Sequence, residues 1–354
     1  MATHQKVLIT GLNGFVAPHI AIAFLEKGWD VVGTVRTASK RDTVLDLPTL
    51  RSWTEDGQLT AVIVEDLISA GWSRVLEGVD AIVHAASPFD LTLKTYEEFS
   101  RPAIEGTVNL LTAASKVSSI KAVVDVSSTA AVLNVLKPFT DHNGKIYTED
   151  DWQELTEEDA KKEGNGPGHW YCASKKYASL AAQKVKKDTN ASWSLTTVCP
   201  PAIFGPPMHV SDASQIANAT PGTDVSTATL WGFFTGGEDS PLPAAFDPVF
   251  VDVRDLAEAI YLGITKRVNG RFLTSNGSYT AQRLVNIARK ARPDLKQFIV
   301  RGNPEDSDEL PEGSFKLDTS KSVKELGLTY RKLEETVVDT IAQFEKLGAY
   351  RSKD

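Results

Sequence analysis

The sequence predicts an α/β protein, a doubly wound parallel sheet with a smaller C-terminal part laid over one edge. Three observations predict it. A short apolar strand runs into a glycine turn and a helix at the start of the chain. Strand and helix patterns then alternate as far as residue 200. Beyond that point the chain becomes irregular and rich in Gly, Pro, Ser and Thr until order returns at Val249.

Lys6-Val-Leu-Ile-Thr10 is a run of aliphatic and β-branched residues, the pattern of a strand buried on both faces. Gly11-Leu-Asn-Gly14-Phe-Val-Ala17 follows it. Gly11 can make the tight turn, Gly14 lets a phosphate approach the backbone, and small Ala17 lets a helix lie close on the strand. Free amides at that helix start form an anion site suited to a pyrophosphate, so the segment reads as a Rossmann-type dinucleotide turn. The second strand, Asp30–Val35, ends at Arg36, with Lys40 and Arg41 close behind. An unphosphorylated ribose is usually held here by a carboxylate. A guanidinium fork and an ammonium instead bind a ribose 2′-phosphate. NADPH/NADP+ is therefore the expected cofactor, with Arg36 the main phosphate ligand and Lys40 the second.

Further strands are expected at 60–64, 80–84, 121–126 and 194–199, and helices near 15–27, 72–77, 96–117 and 172–188. Strands separated by helices require crossover connections and a parallel sheet covered on both faces. Ligands bind such a sheet at the carboxyl ends of its strands. Gly11, Arg36, Asp66-Leu67, Ala85-Ala86 and Ser127-Ser128 each follow an expected strand, so they should share one edge. Tyr171 and Lys175 are four apart and project from one helix face. An isolated phenol titrates near ~10, and a neighbouring ammonium is expected to draw that value toward the range of general acid–base catalysis.

Residues 205–248 read as a long loop with a short helix near 226–235, and such loops are usually lids or binding walls. Val249–Asp255 opens a helix through Ile264; a strand at Gly270–Thr274 and helices near 280–291 and 331–347 follow. The expected division is a dinucleotide domain over 1–200, to which 249–275 returns, and a smaller substrate-binding domain and lid over 201–354. Hydrophobic content of 42% and charged content of 24% fit an ordinary globular protein. A net charge of −8 argues against nucleic acid or an anionic membrane as partner. No apolar run is long enough to span a bilayer, and two cysteines imply no disulfide framework. A cytoplasmic enzyme without a metal site is the expectation.

These residues resemble the extended short-chain dehydrogenase/reductases, and within them the fungal NADPH-dependent ketone and aldehyde reductases related to dihydroflavonol reductases. The similarity is carried by Thr10-Gly-Leu-Asn-Gly-Phe-Val16, Val64-Glu-Asp-Leu67, His84-Ala-Ala-Ser-Pro88, Pro102-Ala-Ile-Glu-Gly-Thr107, Val126-Ser-Ser128, Tyr171-Cys-Ala-Ser-Lys175, Pro200-Pro-Ala-Ile-Phe-Gly-Pro206 and Phe250-Val-Asp-Val-Arg-Asp255. The resemblance implies a catalytic set of Ser128, Tyr171 and Lys175, with Ser127 as a substitute for Ser128. Tyr171 would protonate the carbonyl oxygen as hydride arrives, Lys175 would hold the nicotinamide ribose, and Ser128 would hydrogen-bond the same oxygen. It also implies cofactor contacts at Gly11, Asn13, Gly14, Phe15, Val16, Asp66, Leu67, Ala85, Ala86, Ser87, Pro200 and Ile203. Many members carry Asn at the position of Ala103 as a proton relay. None is present here, so solvent or a ribose hydroxyl must serve.

The resulting expectation is a carbonyl reductase acting on a small ketone or aldehyde, as monomer or homodimer. Two alternatives share the scaffold. A nucleotide-sugar epimerase or dehydratase would resemble it, but Ser128-Thr-Ala-Ala131 lacks the acidic residues of dehydratases and Cys199-Pro-Pro201 lacks the epimerase Asn. A cofactor sensor without turnover would tend to lose Tyr171 or Lys175. Phe89, Leu91, Leu133, Trp170, Trp231 and Phe234 are the candidates for an apolar, aromatic substrate pocket.

Overall fold

A computed structural model of the protein describes residues 4–87, 92–219, 224–245 and 247–350. Five strands open the chain: β1 (Lys6–Ile9), β2 (Asp30–Val35), β3 (Leu59–Ile63), β4 (Ala81–His84) and β5 (Ala122–Val126). With Ser194–Cys199 and Gly270–Leu273 they form an all-parallel sheet ordered β3, β2, β1, β4, β5, Ser194–Cys199, Gly270–Leu273. The winding reverses between β1 and β4, so the crevice such a sheet offers to ligands lies there.

Both faces are covered. Val7 and Ile9 point to one face, where Ile20 and Phe24 of helix Ala17–Leu25 and Leu256 and Ile260 of helix Val253–Lys266 pack on them. Leu8 points to the other, beneath Leu110 and Leu111 of Tyr96–Ala114 and Ala182 of Pro167–Asp188. This two-sided burial is why β1 reads as an unbroken apolar run. β2 carries Gly33 where Leu12 of the glycine turn rests on it; a Cβ there would come 2.3 Å from Leu12 Cδ2. The Tyr96–Ala114 helix starts on a capping box between Thr95 and Glu98. The tyrosine helix begins at Pro167, five residues before the expected start, with proline at its first position. Tyr171 and Lys175 therefore both lie within its regular part.

Two departures from the sequence expectation bear on the site. A helix spans Ala38–Leu45, where the basic stretch gave no apolar period because Val44 is its one buried residue. Its Thr37 cap accepts a hydrogen bond from the Lys40 amide. Of the segment expected to return to the main sheet, Val253–Lys266 covers a face and Gly270–Leu273 becomes the edge strand. Val249–Asp252 instead joins Ala202–Phe204 and Gly277–Ser278 in a separate small sheet. Phe204, Phe233, Phe234, Phe250, Tyr279 and Phe344 fill a second core between that sheet and helices Val225–Thr235, Ala281–Ala291 and Leu333–Lys346. Among the described residues no helix is long and apolar enough to cross a membrane.

Buried carboxylates tie the final helix to this frame. Asp252, fully buried, accepts hydrogen bonds from the Arg254 amide, Nε and Nη2 and from the Thr336 hydroxyl. Asp255 accepts from Asn276 Nδ2 and from the backbone amide and guanidinium of Arg331. Replacing Asp252 by Ala removes the buried acceptor of four hydrogen bonds and leaves the Arg254 guanidinium with the half-exposed Asp339 as its remaining carboxylate. We expect the Asp252→Ala variant to lose about 3–5 kcal/mol of stability in urea unfolding; an unchanged midpoint would refute this anchoring role.

Candidate active site

The glycine turn is seated by a chain of buried hydrogen bonds. Thr10 Oγ1 accepts from the amides of Ala85 and Ala86, at 3.1 and 2.9 Å. It also lies 2.9 Å from His84 Nδ1, and His84 Nε2 lies 3.0 Å from Thr107 Oγ1. The Thr107 hydroxyl donates to the Ala103 carbonyl at 2.6 Å. Donor accounting then fixes the tautomer. Thr107 has spent its proton, so His84 Nε2–H donates to it; Nδ1 is bare and accepts the Thr10 hydroxyl. His84 is thus neutral. Burial, and after it the Lys175 ammonium, hold its pKa down to about 4. Gly11, at φ +75°, lies against Ala86 so closely that an added Cβ would stand 3.2 Å from Ala86 Cα.

Above this knot the helix Ala17–Leu25 begins without a side-chain cap, and Gly14 is exposed at its mouth. With Pro18 lacking an N–H, the first-turn amides left for an anion are those of Ala17 and His19. Phe15 packs edge-on against His209 from the C-terminal part at 5.6 Å, and Val16 lies against the core of the first helix. Arg36 and Lys40 are exposed at the end of β2, and among the described residues no carboxylate pairs with either. Partial burial, and then the Arg36 guanidinium, hold the Lys40 ammonium below its usual value. These two cations stand together with no counter-charge, which fits a phosphate. Asp66 is exposed, its carboxylate bound to the Ser69 hydroxyl and the Ile68 amide; Leu67 packs beneath Gly106.

Tyr171 and Ser128 are joined by a hydrogen bond between their hydroxyls. Ser128 also accepts from the Ala130 amide at 3.1 Å, capping a single helical turn over Thr129–Ala131. Thr129 N in turn donates to the Pro200 carbonyl at 2.9 Å. Ile203 lies against the first core. Lys175 is buried, donates to the Val126 carbonyl at 3.2 Å, and has its Nζ 5.8 Å from the Tyr171 ring centre. Ser127 does not join this group. Its Oγ is 2.7 Å from Ser179 Oγ, two turns further along the helix that bears Tyr171. One electrostatic expectation is corrected. The Tyr171 phenol is pushed up to about 12, because burial outweighs the Ser128 hydrogen bond that favours the phenolate. The phenol is therefore a neutral proton donor across the physiological range.

The proposed aromatic pocket is not assembled. Phe234 is fully buried in the second core, and Trp231 packs on Phe344 at 5.1 Å. Leu133 is buried against Val249 and Phe315. Trp170 donates its indole N–H to the Ala160 carbonyl and packs beside Phe99. Phe89 and Leu91 lie outside the described residues. Three residues that carry no role in the sequence reading, His84, Asp125 and Ser179, line the floor of the site. Their signal was legible: His84 and Asp125 are polar interruptions in strands otherwise apolar on both faces.

Comparison with known proteins places this arrangement in a family. The model of the NAD dependent epimerase/dehydratase family matches residues 7–273. An uncharacterised oxidoreductase of Schizosaccharomyces pombe is 37% identical over 342 residues, covering 95% of this chain and 96% of its own. The ketoreductase azaE of Aspergillus niger is 33% identical over 347 residues, with 95% and 96% covered. The crystal structure of Gre2 from Candida albicans in complex with NADPH superposes with a TM-score of 0.84 at 31% identity, over 97% of this chain and 99% of that one. The chain belongs to the NAD dependent epimerase/dehydratase family, the extended short-chain dehydrogenase/reductases, and is an oxidoreductase similar to the fungal reductases among them.

Proposed function

We propose that the protein reduces a ketone or aldehyde to the alcohol with NADPH, Tyr171 acting as the general acid. The observation that carries this reading is the convergence of Tyr171, Ser128 and Lys175 at the carboxyl edge of the sheet, beside the crevice between β1 and β4. The ketoreductase and NADPH-bound relatives support the same chemistry. Gly11, Asn13, Gly14, Phe15 and Val16 would receive the pyrophosphate at the uncapped helix start, and Arg36 with Lys40 the 2′-phosphate. Asp66 and Leu67 would flank the adenine. Ala85, Ala86 and Ser87 would pass the nicotinamide ribose, and Pro200 and Ile203 would back the ring. The smaller C-terminal part would wall the substrate.

When bound, the reduced nicotinamide supplies the hydride. The chain's own residues manage the proton. A carbonyl oxygen entering beside Tyr171 takes hydrogen bonds from both hydroxyls, which now face each other. As negative charge builds on that oxygen, Tyr171 hands over its proton. An alkoxide is far more basic than a phenol titrating near 12, so the transfer runs downhill. Ser128, held by the Ala130 amide, keeps its donor aimed at the same atom and stabilises the developing charge. Lys175 spends one N–H on Val126 and has its others for ribose hydroxyls.

Two substitutions test this. Tyr171→Phe should lower kcat about 10²–10⁴-fold while NADPH still binds, measured as nicotinamide absorbance across a panel of β-keto esters, aryl ketones and dicarbonyls. Turnover at the parent rate in that variant would sink the mechanism. Arg36→Glu should raise the Kd for NADPH about 10–100-fold and leave that for NADH nearly unchanged. Equal losses for both coenzymes would remove Arg36 from the phosphate site.

A further inference from the structure

Beside Lys175 lies a small cavity of about 10 Å³, space for one water-sized sphere. Lys175, Asp125, Ser127, Ser179, His84 and Ser87 line it. Asp125 is buried in β5, an interior strand of the sheet, where a carboxylate is costly to hold. Its Oδ2 is 3.1 Å from Ser179 Oγ, which is 2.7 Å from Ser127 Oγ. Ser179 is placed as donor to both, so with Asp125 ionised its one proton goes to the carboxylate in preference to the neutral Ser127 hydroxyl. Both groups are buried and line the same small cavity, so their attraction is screened less than it would be in water.

We propose that Asp125, oriented by Ser179, is a positioning residue that serves as the buried counter-charge of Lys175, keeping the lysine cationic and aimed at the cofactor ribose. This rests on the reductase reading above. Burial lowers the affinity of Lys175 for its proton and Asp125 is the first group that restores it. The other titratable groups facing Lys175 cannot take that role. His84 of β4 is held near 4, Tyr171 on the same helix is pushed up to about 12, and burial raises the Cys199 thiol from the adjoining strand. Arg271 of the edge strand acts on Asp125 itself and is of the wrong sign for Lys175.

The sign of the effect follows. Removing the carboxylate charge lets Lys175 lose its proton at lower pH, so NADPH affinity should begin its alkaline fall about one pH unit earlier in Asp125→Asn. Kd for NADPH against pH, by calorimetry on the full chain, reads this without any substrate, and kcat/KM with ethyl acetoacetate should move in parallel. A folded Asp125→Asn protein with the parent profile overturns the proposal. If that variant does not fold, Ser179→Ala decides. The carboxylate loses its donor, so Asp125 takes up a proton at higher pH and, once neutral, no longer holds Lys175 toward the ribose. The fall in NADPH affinity on the acid side should begin at higher pH than in the parent, and an unmoved acid side overturns the proposal equally. Tyr171→Phe, assayed alongside, separates the readings: it tests the acid and leaves the Kd profile where it was.

Discussion

The hydroxyl of Thr10 is the atom on which the site depends. It takes two amides from the end of β4 and gives its proton to His84, which passes the chain on to Thr107 in the helix across the sheet. One side chain thereby fixes the spacing of β1 and β4 at the point where the winding reverses, and a doubly wound sheet binds ligand at that point. Gly11 can pass against Ala86 only because neither side chain is larger. The site is thus built from backbone held by small residues, and its precision comes from hydrogen bonds whose every proton is assigned.

Electrostatics at this edge is set by burial more than by pairing. Tyr171 stays protonated, His84 stays neutral, and burial lowers the proton affinity of Lys175 against the opposing charge of Asp125. A neutral phenol suits reduction, since the step requires a donor and the receiving alkoxide is the stronger base. The opposite holds at the far end of the crevice. There Arg36 and Lys40 are exposed, lie close enough to repel, and are kept together by the capped turn at Thr37. An exposed cationic pair costs little in water and gains most from a dianion.

The C-terminal part joins the sheet through carboxylates. Asp252 and Asp255 follow directly on a strand of the small sheet and open a helix of the large one. Their partners, Thr336, Arg331 and Asn276, come from the segments after it. This junction also explains the aromatic residues once expected to line a substrate pocket. Phe234 and Trp231 share a helix that packs on Phe344, so the aromatic surface is spent on joining two helices of the second core.

By itself the sequence determined the parallel sheet, the glycine turn, the cationic end of β2, and the helix bearing Tyr171 and Lys175. Each is a local pattern: a period, a breaker or a fixed spacing that needs no distant partner to be read. The tertiary structure alone decided which of Ser127 and Ser128 meets the tyrosine, since adjacent strand residues face opposite ways and only packing says which way is inward. It alone paired Thr10 with Thr107 through His84, contacts between residues 23 to 76 apart, and set Asp125 beside Lys175. It also raised the phenol that the ammonium was expected to lower, because the number of atoms that exclude water from a group is a property of the whole fold.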